Sequence, residues 1–304
     1  MVTEPTLSVV ICTHNRPELL RRAIAAIAAQ DLDDTIETIV VFDRETPDHS
    51  LEVVGGTRPV RVVANRTPGL PGGRNTGAEE ARGAVIGFCD DDDRWLPSKA
   101  RRQLAVLDAR TDRDVVVCGM RLVRGEDRID RPIDLPEVTL ADLIHTRVFQ
   151  ACFTTAVVRR DAWFGAIGPA DPDIPGGFAE DYEWMLRAAR RAPIAVIGEP
   201  LMEYDWNGRS YFADRWPMIV EALGYLLDRF PEFRTDRRGW ARIRGQRAFA
   251  MAASGRRGPA LREVGAVLRL DPTQPRAHLA AIVALGLVRP ETIVRSVNDR
   301  GRGI

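Results

Sequence analysis

Residues 84–97 of the chain read AVIGFCDDDDRWLP, an apolar run that leads into four consecutive aspartates, Asp90–Asp93. The first six residues are typical of a buried strand. Adjacent carboxylates repel one another, and any that is left dry and unpaired destabilises the folded state by several kcal/mol. The run is therefore either a solvated acidic loop or a place where carboxylates hold a ligand.

Similar apolar runs alternate with helical patterns along the chain, and their lack of internal polar alternation indicates a mostly parallel sheet covered by helices on both faces. The predicted strands are Leu7–Thr13, Ile36–Phe42, Val60–Ala64, Ala84–Cys89, Asp114–Cys118, Thr154–Arg159 and Ile194–Gly198. The predicted helices are a segment capped by Asn15, Gly72–Arg82 ended by Gly83, Pro97–Asp108 and Phe178–Arg190. The predicted fold class is α/β and Rossmann-like.

Polar residues follow three of these strands. They lie at 12–15 after the first strand, at Asp43 after the second and at Asp90–Asp93 after the fourth. Ligands of parallel α/β sheets bind beyond the carboxyl ends of the strands. Convergence of three polar clusters at one edge favours the ligand-holding interpretation of the acid run.

Composition excludes several classes of protein. The formal net charge of the 304-residue chain is zero, so no overall field favours nucleic acid. The four cysteines, at positions 12, 89, 118 and 152, lack the spacing of a disulfide framework or zinc site. The N-terminus does not resemble a signal peptide, and no apolar run has the length of a membrane helix. These features predict a cytoplasmic protein.

The end of the chain has a different character. Residues 165–177 hold several Gly and Pro and are predicted to form a loop, and the sequence after Ala213 is helical in short pieces. Residues 234–304 contain 15 Arg and 5 acidic residues. Residues 256–285 resemble one helical hairpin of the tetratricopeptide type, which needs neighbouring repeats to bury its faces. The predicted division is a catalytic domain at 1–230 and a helical region at 231–304.

Four motifs in order give the chain its resemblance to a known family. They are LSVVICTHNRPELLRRAI at 7–24, IETIVVFD at 36–43, LPGGRNTGAEEARGAVIGFCDDDDRW at 70–95 and GGFAEDYEW at 176–184. The span from Leu7 to Tyr211 resembles the family 2 glycosyltransferases, inverting enzymes of the GT-A fold. The resemblance implies transfer of a sugar from a nucleoside diphosphate donor, with UDP or TDP as the expected nucleotide.

By this resemblance the acid run is similar to the DXD motif of the family. Asp92 is expected to ligate Mg²⁺ or Mn²⁺, which prefer carboxylate oxygens and bridge the donor diphosphate. Asp91 is expected to contact the ribose, and Asp90 to assist at either position. Asp93 is instead expected to cap the helix that follows.

The nucleotide site is implied by four other residues: Thr13, Asn15, Asp43 and Arg74. Arg74 could fork two phosphate oxygens or hold neighbouring acids, because a guanidinium at a helix start is otherwise disfavoured by the helix dipole. Asp43 resembles the acid that accepts from a pyrimidine N–H. The family often has two adjacent acids there, whereas this chain has Phe42-Asp43-Arg44-Glu45, which leaves the base open.

An inverting transfer needs a carboxylate that takes the proton of the acceptor hydroxyl. The Glu180-Asp181 pair resembles the ED pair of the family, and Asp181 is the expected general base, kept ionised by the helix N-terminus. Trp184 could equally belong to the core. The family often has a His in a downstream loop, but residues 203–211 (EYDWNGRSY) have none, so Arg209 could reach the diphosphate or the loop could serve the acceptor alone. His14 and His145 are expected to have roles other than metal ligation.

Two other functions compete with this interpretation. A dinucleotide-binding enzyme needs a Gly-rich turn after the first strand, and this chain has no glycine there. A non-catalytic protein that binds a sugar nucleotide or a partner on the same scaffold stays open. The acceptor, which could be a glycan, a lipid-linked glycan or a natural product, is expected to contact residues 126–177 and the tail. The basic tail could also contact the inner membrane face peripherally.

Overall fold

A computed structural model describes residues 4–206, 212 and 214–298 of the chain. It is a mixed α/β structure in which a central sheet is flanked by helices. The strands are β1 (Leu7–Thr13), β2 (Ile36–Phe42), β3 (Val60–Ala64), β4 (Val85–Asp90), β5 (Arg94–Trp95), β6 (Val115–Arg124), β7 (Asp127–Arg131), β8 (Glu137–Val138), β9 (Val157–Arg159) and β10 (Ile194–Asp205). The helices are α1 (Pro17–Ala28), α2 (Leu70–Glu80), α3 (Lys99–Ala109), α4 (Leu140–Thr146), α5 (Arg160–Phe164), α6 (Glu180–Arg191), α7 (Trp216–Arg229), α8 (Arg237–Ala253), α9 (Arg257–Leu270), α10 (Pro275–Ala284) and α11 (Pro290–Asn298).

The sheet has the strand order β3-β2-β1-β4-β9-β6-β10-β5, with β7 beside β6 and β8 beside β10. The first four strands are parallel, as predicted. Strand β9 runs antiparallel to both β4 and β6, so the second half of the sheet is mixed. The predicted α/β fold class is confirmed, with the parallel part confined mainly to the half that begins the chain.

The register of β1 brings the predicted site residues together. Thr13 pairs with Phe42 of β2, the residue before Asp43, and Cys12 pairs with Asp90 of β4. The polar residues that follow all three strands therefore lie at one edge of the sheet, as expected from the parallel arrangement.

Three predictions about which residues start or end a helix were wrong. Asn15 does not cap α1: it has a positive φ of 54° and its side chain bonds His14, while Arg16 occupies the cap position. Gly83 is not a C-cap, since α2 ends at Glu80. A side chain at Gly83 would clash with the backbone of Leu7 and Ser8, so the residue permits close approach to β1. Helix α3 begins at Lys99, two residues after Pro97.

Trp184 belongs to the core, and its side chain is completely buried. Its ring packs against Trp163 and Phe153, and its indole N–H donates to the carbonyl of Gly168 at 2.9 Å. Because Phe153 also packs against Phe88 of β4, this aromatic cluster connects α6 to the middle of the sheet. Helix α6, which begins with Glu180, is thereby held in a fixed position relative to β4.

The chain divides into two compact units. The first lies within Met1–Leu143, Arg147–Pro172 and Glu180–Gly208, and the second within Ile144–Thr146, Asp173–Ala179 and Arg209–Ile304. Helices α7–α11 form most of the second unit, and the predicted helical pieces of the tail are confirmed. Throughout the described residues, every helix is too short or too polar to traverse a lipid bilayer. All four cysteines are free thiols.

Candidate active site

The acid run leaves the sheet in a tight turn after Asp90, and the four carboxylates then have different environments. The turn is closed by the backbone N–H of Asp93, which donates to the carbonyl of Asp90 at 3.1 Å. The side chains of Asp90 and Asp92 are 38% and 34% exposed. Asp91 and Asp93 are buried. Two carboxylates of the run therefore face solvent and two point into the protein.

Asp93 is not the helix cap that the sequence predicts. One of its oxygens accepts from the backbone N–H of Asp205 at 3.2 Å, at the end of β10. Burial raises the pKa of Asp93 well above its ordinary value, and the charges of Asp90 and Asp92 raise it further. The cap prediction failed because α3 starts at Lys99 and Ser98 occupies its cap position.

Arg16 binds the solvent side of the acid run. Its Nη1 lies 3.0 Å from Oδ1 of Asp91 and 2.7 Å from Oδ2 of Asp92. The hydroxyl of Thr13 donates to the other oxygen of Asp91 at 2.8 Å. Burial and the charges of its neighbouring aspartates raise the pKa of Asp92 to about 6, against the opposing effect of Arg16. A positive charge thus already sits between the two carboxylates.

Arg74 links the acid run to the Glu180-Asp181 pair. The guanidinium donates to Asp90 at 2.9 Å and forms a second ion pair with Glu180. It lies over the ring of Phe153, 4.5 Å from the centroid, and is only 5% exposed. Burial lowers the pKa of Arg74, but the charges of Glu180 and Asp90 outweigh it and raise the pKa above the ordinary arginine value. The sequence left phosphate oxygens and neighbouring acids open as partners of Arg74. In the structure Arg74 contacts the neighbouring acids.

Glu180 and Asp181 open helix α6 but differ in access. Glu180 is buried against Arg74, and burial raises its pKa to about 7 despite that ion pair. The carboxylate of Asp181 is 24% exposed and lies 3.6 Å from the guanidinium of Arg147. It also accepts from the backbone N–H of Tyr182 at 2.7 Å. Asp181 is therefore oriented by the N–H of Tyr182 and by the charge of Arg147, and it is still reachable by a substrate hydroxyl.

Asp43 lies at the end of β2 and is held by donors from the following strand and loop. Its Oδ1 accepts from the amide of Asn65 at 2.8 Å and from the backbone N–H of Gly69 at 3.1 Å. Gly69 has a φ of 103°, which a residue with a side chain adopts only with strain. Next to Asp43, the backbone N–H of Asn15 donates to Glu45 at 3.0 Å. The carboxylate of Asp43 therefore faces the segment that follows β3, and that of Glu45 faces the residues that follow β1.

Sequence reasoning missed three residues of the site: Arg16, Arg147 and Asn65. A signal for Arg16 was present, because a guanidinium at the start of a helix is disfavoured by the dipole unless an anion lies nearby. Arg147 and Asn65 had no local signal. His14 bonds the carbonyl of Asp43 at 2.6 Å through Nδ1. Arg209 lies outside the described residues.

Asp90 and Asp92 are the residues that could hold a divalent cation. Among the described residues, no group of three or more His, Cys, Asp or Glu is arranged to hold a metal ion. Two partly exposed carboxylates suit Mg²⁺ or Mn²⁺, because these ions keep waters and take substrate phosphates as their remaining ligands. The carboxylates of Asp90 and Asp92 therefore suit a cation that arrives with a phosphorylated substrate, because the cation would also relieve the repulsion between them.

Comparison with known proteins identifies the family. Residues 8–164, just over half of the chain, match the family model of glycosyl transferase family 2. The uncharacterized glycosyltransferase EpsJ of Bacillus subtilis is 30% identical over 221 residues, which are 68% of this chain and 62% of EpsJ. The chain therefore spans somewhat less than two thirds of that relative.

Solved structures show the same fold. TarS of S. aureus in complex with UDP-GlcNAc superposes with a TM-score of 0.65 at 19% identity, over 98% of this chain and 92% of that chain. The mannosyltransferase PcManGT of Pyrobaculum calidifontis, in complex with GDP-Man and Mn²⁺, gives a TM-score of 0.55 at 18% identity, over 98% and 85%. With four sequence motifs, a GT-A-like sheet and a family match over the site-bearing strands, the chain belongs to glycosyl transferase family 2.

Proposed function

We propose that the chain is an inverting glycosyltransferase that moves a sugar from a nucleoside diphosphate donor to a hydroxyl acceptor with the help of a divalent metal. The observation that carries this proposal is the pair of contacts made by Arg74. One buried guanidinium holds Asp90 of the acid run and Glu180, the neighbour of Asp181. Arg74 and Glu180 thus connect the acids proposed for the donor to the acid proposed for the acceptor.

The donor side uses the edge formed by β1, β2 and β4. We assign Asp92, assisted by Asp90, as the ligand of Mg²⁺ or Mn²⁺, which when bound would neutralise charge on the diphosphate. Asp91 would contact the ribose. The other residues proposed to line the nucleotide are Thr13, Asn15, Asp43 and Arg74. The family neighbours contain UDP-GlcNAc and GDP-Man, and we propose UDP or TDP as the donor nucleotide here.

The acceptor side uses Asp181. Its carboxylate would take the proton of the acceptor hydroxyl while the hydroxyl oxygen attacks the anomeric carbon. The bond from that carbon to the diphosphate breaks on the opposite face, and the leaving group keeps the bonding electrons, which inverts the configuration. Arg147 and the N–H of Tyr182 hold the carboxylate in place. Glu180 stays buried and positions Arg74.

The acceptor class is open among a glycan, a lipid-linked glycan and a natural product. We propose that residues 126–177 contact it, that residues 1–230 contain the catalytic domain, and that the helical region at 231–304 is a separate appendage able to touch a membrane peripherally. The competing proposal is a non-catalytic protein that binds a sugar nucleotide or partner on the same scaffold. That protein would share the donor site but would not need a reachable, oriented Asp181.

Donor binding should raise the melting temperature of the protein only when metal is present. Thermal shift with UDP, TDP, GDP and CDP, each with and without Mn²⁺, should give an increase of about 3–8 °C for one nucleotide near a hundredfold excess over its Kd. The increase should be lost in Asp92→Ala, because the metal would lose its main ligand.

The matched control is Asp108→Ala, which removes an exposed acid from helix α3. It should keep the full nucleotide-dependent shift. A shift that persists in Asp92→Ala would reject the metal assignment, and the absence of any shift with all four nucleotides would reject the donor site.

Arg16 should compete with the metal for the acid run. Its guanidinium contacts one oxygen of Asp91 and one of Asp92, so a cation that binds Asp92 meets a positive charge already at that carboxylate. The pair of Arg16 with Asp92 is partly exposed, and such a pair is worth about 0.2–1 kcal/mol; the positive charge of Arg16 also repels the cation. Arg16→Gln should therefore strengthen Mn²⁺ binding about two- to tenfold, measured by electron paramagnetic resonance titration without nucleotide.

Arg21→Gln provides the control, because Arg21 lies in α1, the helix that follows Arg16, and pairs with Asp48 instead. Its Mn²⁺ affinity should equal that of the wild type. Weaker Mn²⁺ binding by Arg16→Gln would mean that the guanidinium positions the acids and does not compete with the metal.

A further inference from the structure

Two exposed turns lie together at one end of the helical second unit. The first, residues 254–256, joins α8 to α9, and the second, residues 285–289, joins α10 to α11. Helices α8, α9 and α10 pack against one another. A side chain at Gly286 of the second turn would begin 3.5 Å from Nη2 of Arg257 at the start of α9. The two turns therefore form one continuous surface, called here the turn surface.

The turn surface is apolar at its tip. Leu285 and Leu287 are 61% and 71% exposed, and Val288 beside them is also exposed. Leu261, one helical turn after Arg257, adds a fourth exposed aliphatic side chain. Four of the nine large hydrophobic side chains that are exposed among the described residues thus lie here. Isolated exposed leucines are common, but several exposed aliphatic side chains in adjoining turns are typical of binding surfaces.

The same surface is strongly basic. Arg256, Arg257 and Arg289 are exposed, and residues 254–258 and 285–289 contain no acid. None of the three guanidiniums forms an ion pair with any described residue. Other arginines of the unit do have partners, such as Arg244, which pairs with Glu263 at 2.7 Å. Among the described residues, no ion pair therefore offsets the positive charge at the turn surface, and the acid nearest to Arg289 in sequence is Glu291 at the start of α11.

The exposed aliphatic side chains and the arginines together indicate which kind of partner the turn surface binds. An apolar tip surrounded by guanidiniums matches the boundary of an anionic bilayer, where acyl chains accept the leucines and headgroup phosphates accept the arginines. A protein partner of hydrophobic character would not need three uncompensated cations around the tip. A soluble anion would not need exposed leucines.

We propose that the turn surface docks the protein onto an anionic membrane, with Leu285 and Leu287 inserted at the headgroup boundary and Arg256, Arg257 and Arg289 on lipid phosphates. This proposal rests on the proposed function, in which the helical region at 231–304 touches a membrane peripherally. The membrane contact is made by the turn surface and not by the basic tail as a whole. The chemistry at Asp181 lies in the first unit and is independent of it.

The test is sedimentation of the full chain with vesicles of phosphatidylcholine alone or with about 30% phosphatidylglycerol. The wild type should bind the anionic vesicles and lose that binding at high salt. Arg256→Gln with Arg257→Gln should weaken binding about 25-fold, since each arginine near the surface contributes about fivefold. Leu285→Ser with Leu287→Ser should weaken it at least tenfold.

The control is Arg238→Gln with Arg269→Gln, which removes the same charge at the opposite end of α8 and α9 and should change binding less than threefold. An equal loss in this control would show attraction by net charge alone and overturn the proposal. So would absent binding to anionic vesicles, or a wild-type dimer that the leucine variant dissociates with vesicle binding unchanged. The nucleotide-dependent thermal shift should be the same in every variant, so failure of the donor site is detected separately.

Discussion

Asp181→Asn should lower the rate of sugar transfer by about 10²–10⁴-fold, the usual contribution of a general base. Asparagine has nearly the shape of aspartate and can still accept from the N–H of Tyr182, but it cannot take a proton from the acceptor. The fall should appear in kcat, measured with a donor whose nucleotide has been identified by thermal shift. The thermal shift itself should be nearly unchanged, because Asp181 is not assigned to the donor.

Asp161→Asn is the matched control for this variant. Asp161 is also an acid in the first turn of a helix, but it is exposed and outside the site. Its transfer rate should stay within about twofold of the wild type, as expected for a surface substitution away from the site. Full turnover by Asp181→Asn would remove this residue as the base, and a lost nucleotide shift would mean that it holds the donor instead.

Much of the first unit could be predicted from the sequence because its strands are buried on both faces. Strands β1, β2 and β3 have the bounds expected from their apolar runs. Their carboxyl ends converge as the parallel arrangement requires. The end of strand β10 was harder to predict, because Gly198 and Pro200 interrupt the apolar pattern. The strand continues to Asp205 through two register shifts, which no local pattern reveals.

The sequence predicts which residues belong to the candidate site better than it predicts which of them contact one another. The acids and Arg74 could be named as candidates from the sequence, because motifs indicate the acids and the position at a helix start indicates Arg74. The contact of Arg16 with Asp91 and Asp92 depends on β1 lying next to β4, a pairing across more than seventy residues. The two roles of the acid run, with Asp92 toward solvent and Asp93 toward β10, likewise come from tertiary packing. Identical residues in sequence acquire different environments only after the sheet has formed.

Arg74→Met should destabilise the protein by about 3–5 kcal/mol, the cost of breaking a buried ion pair by removing one partner. Arg74 and Glu180 are 5% and 6% exposed, so Glu180 would have to stay charged in a dry environment or take up a proton at a cost that grows with pH. Methionine fills similar space over Phe153, which limits the loss from packing. Urea denaturation at pH 8, followed by tryptophan fluorescence, measures the free energy of unfolding.

The loss should depend on pH in a definite direction. Burial raises the pKa of Glu180 above its unfolded value, so the neutral carboxyl contributes stability at low pH that is lost as pH rises through the folded pKa of about 7. Without the positive charge of Arg74 the folded pKa should rise further. The difference between the variant and the wild type should therefore be larger at pH 8 than at pH 5.

Two comparisons separate this explanation from a general packing defect. The double variant Arg74→Met, Glu180→Gln should recover part of the loss, because no unpaired charge then stays buried. Arg21→Met breaks an exposed pair with Asp48 and should leave the free energy of unfolding nearly unchanged. If Arg74→Met costs no more than Arg21→Met, or if the double variant is less stable than the sum of its single changes, Arg74 does not hold the two acids together. Another residue would then have to connect Asp90 to the Glu180-Asp181 pair.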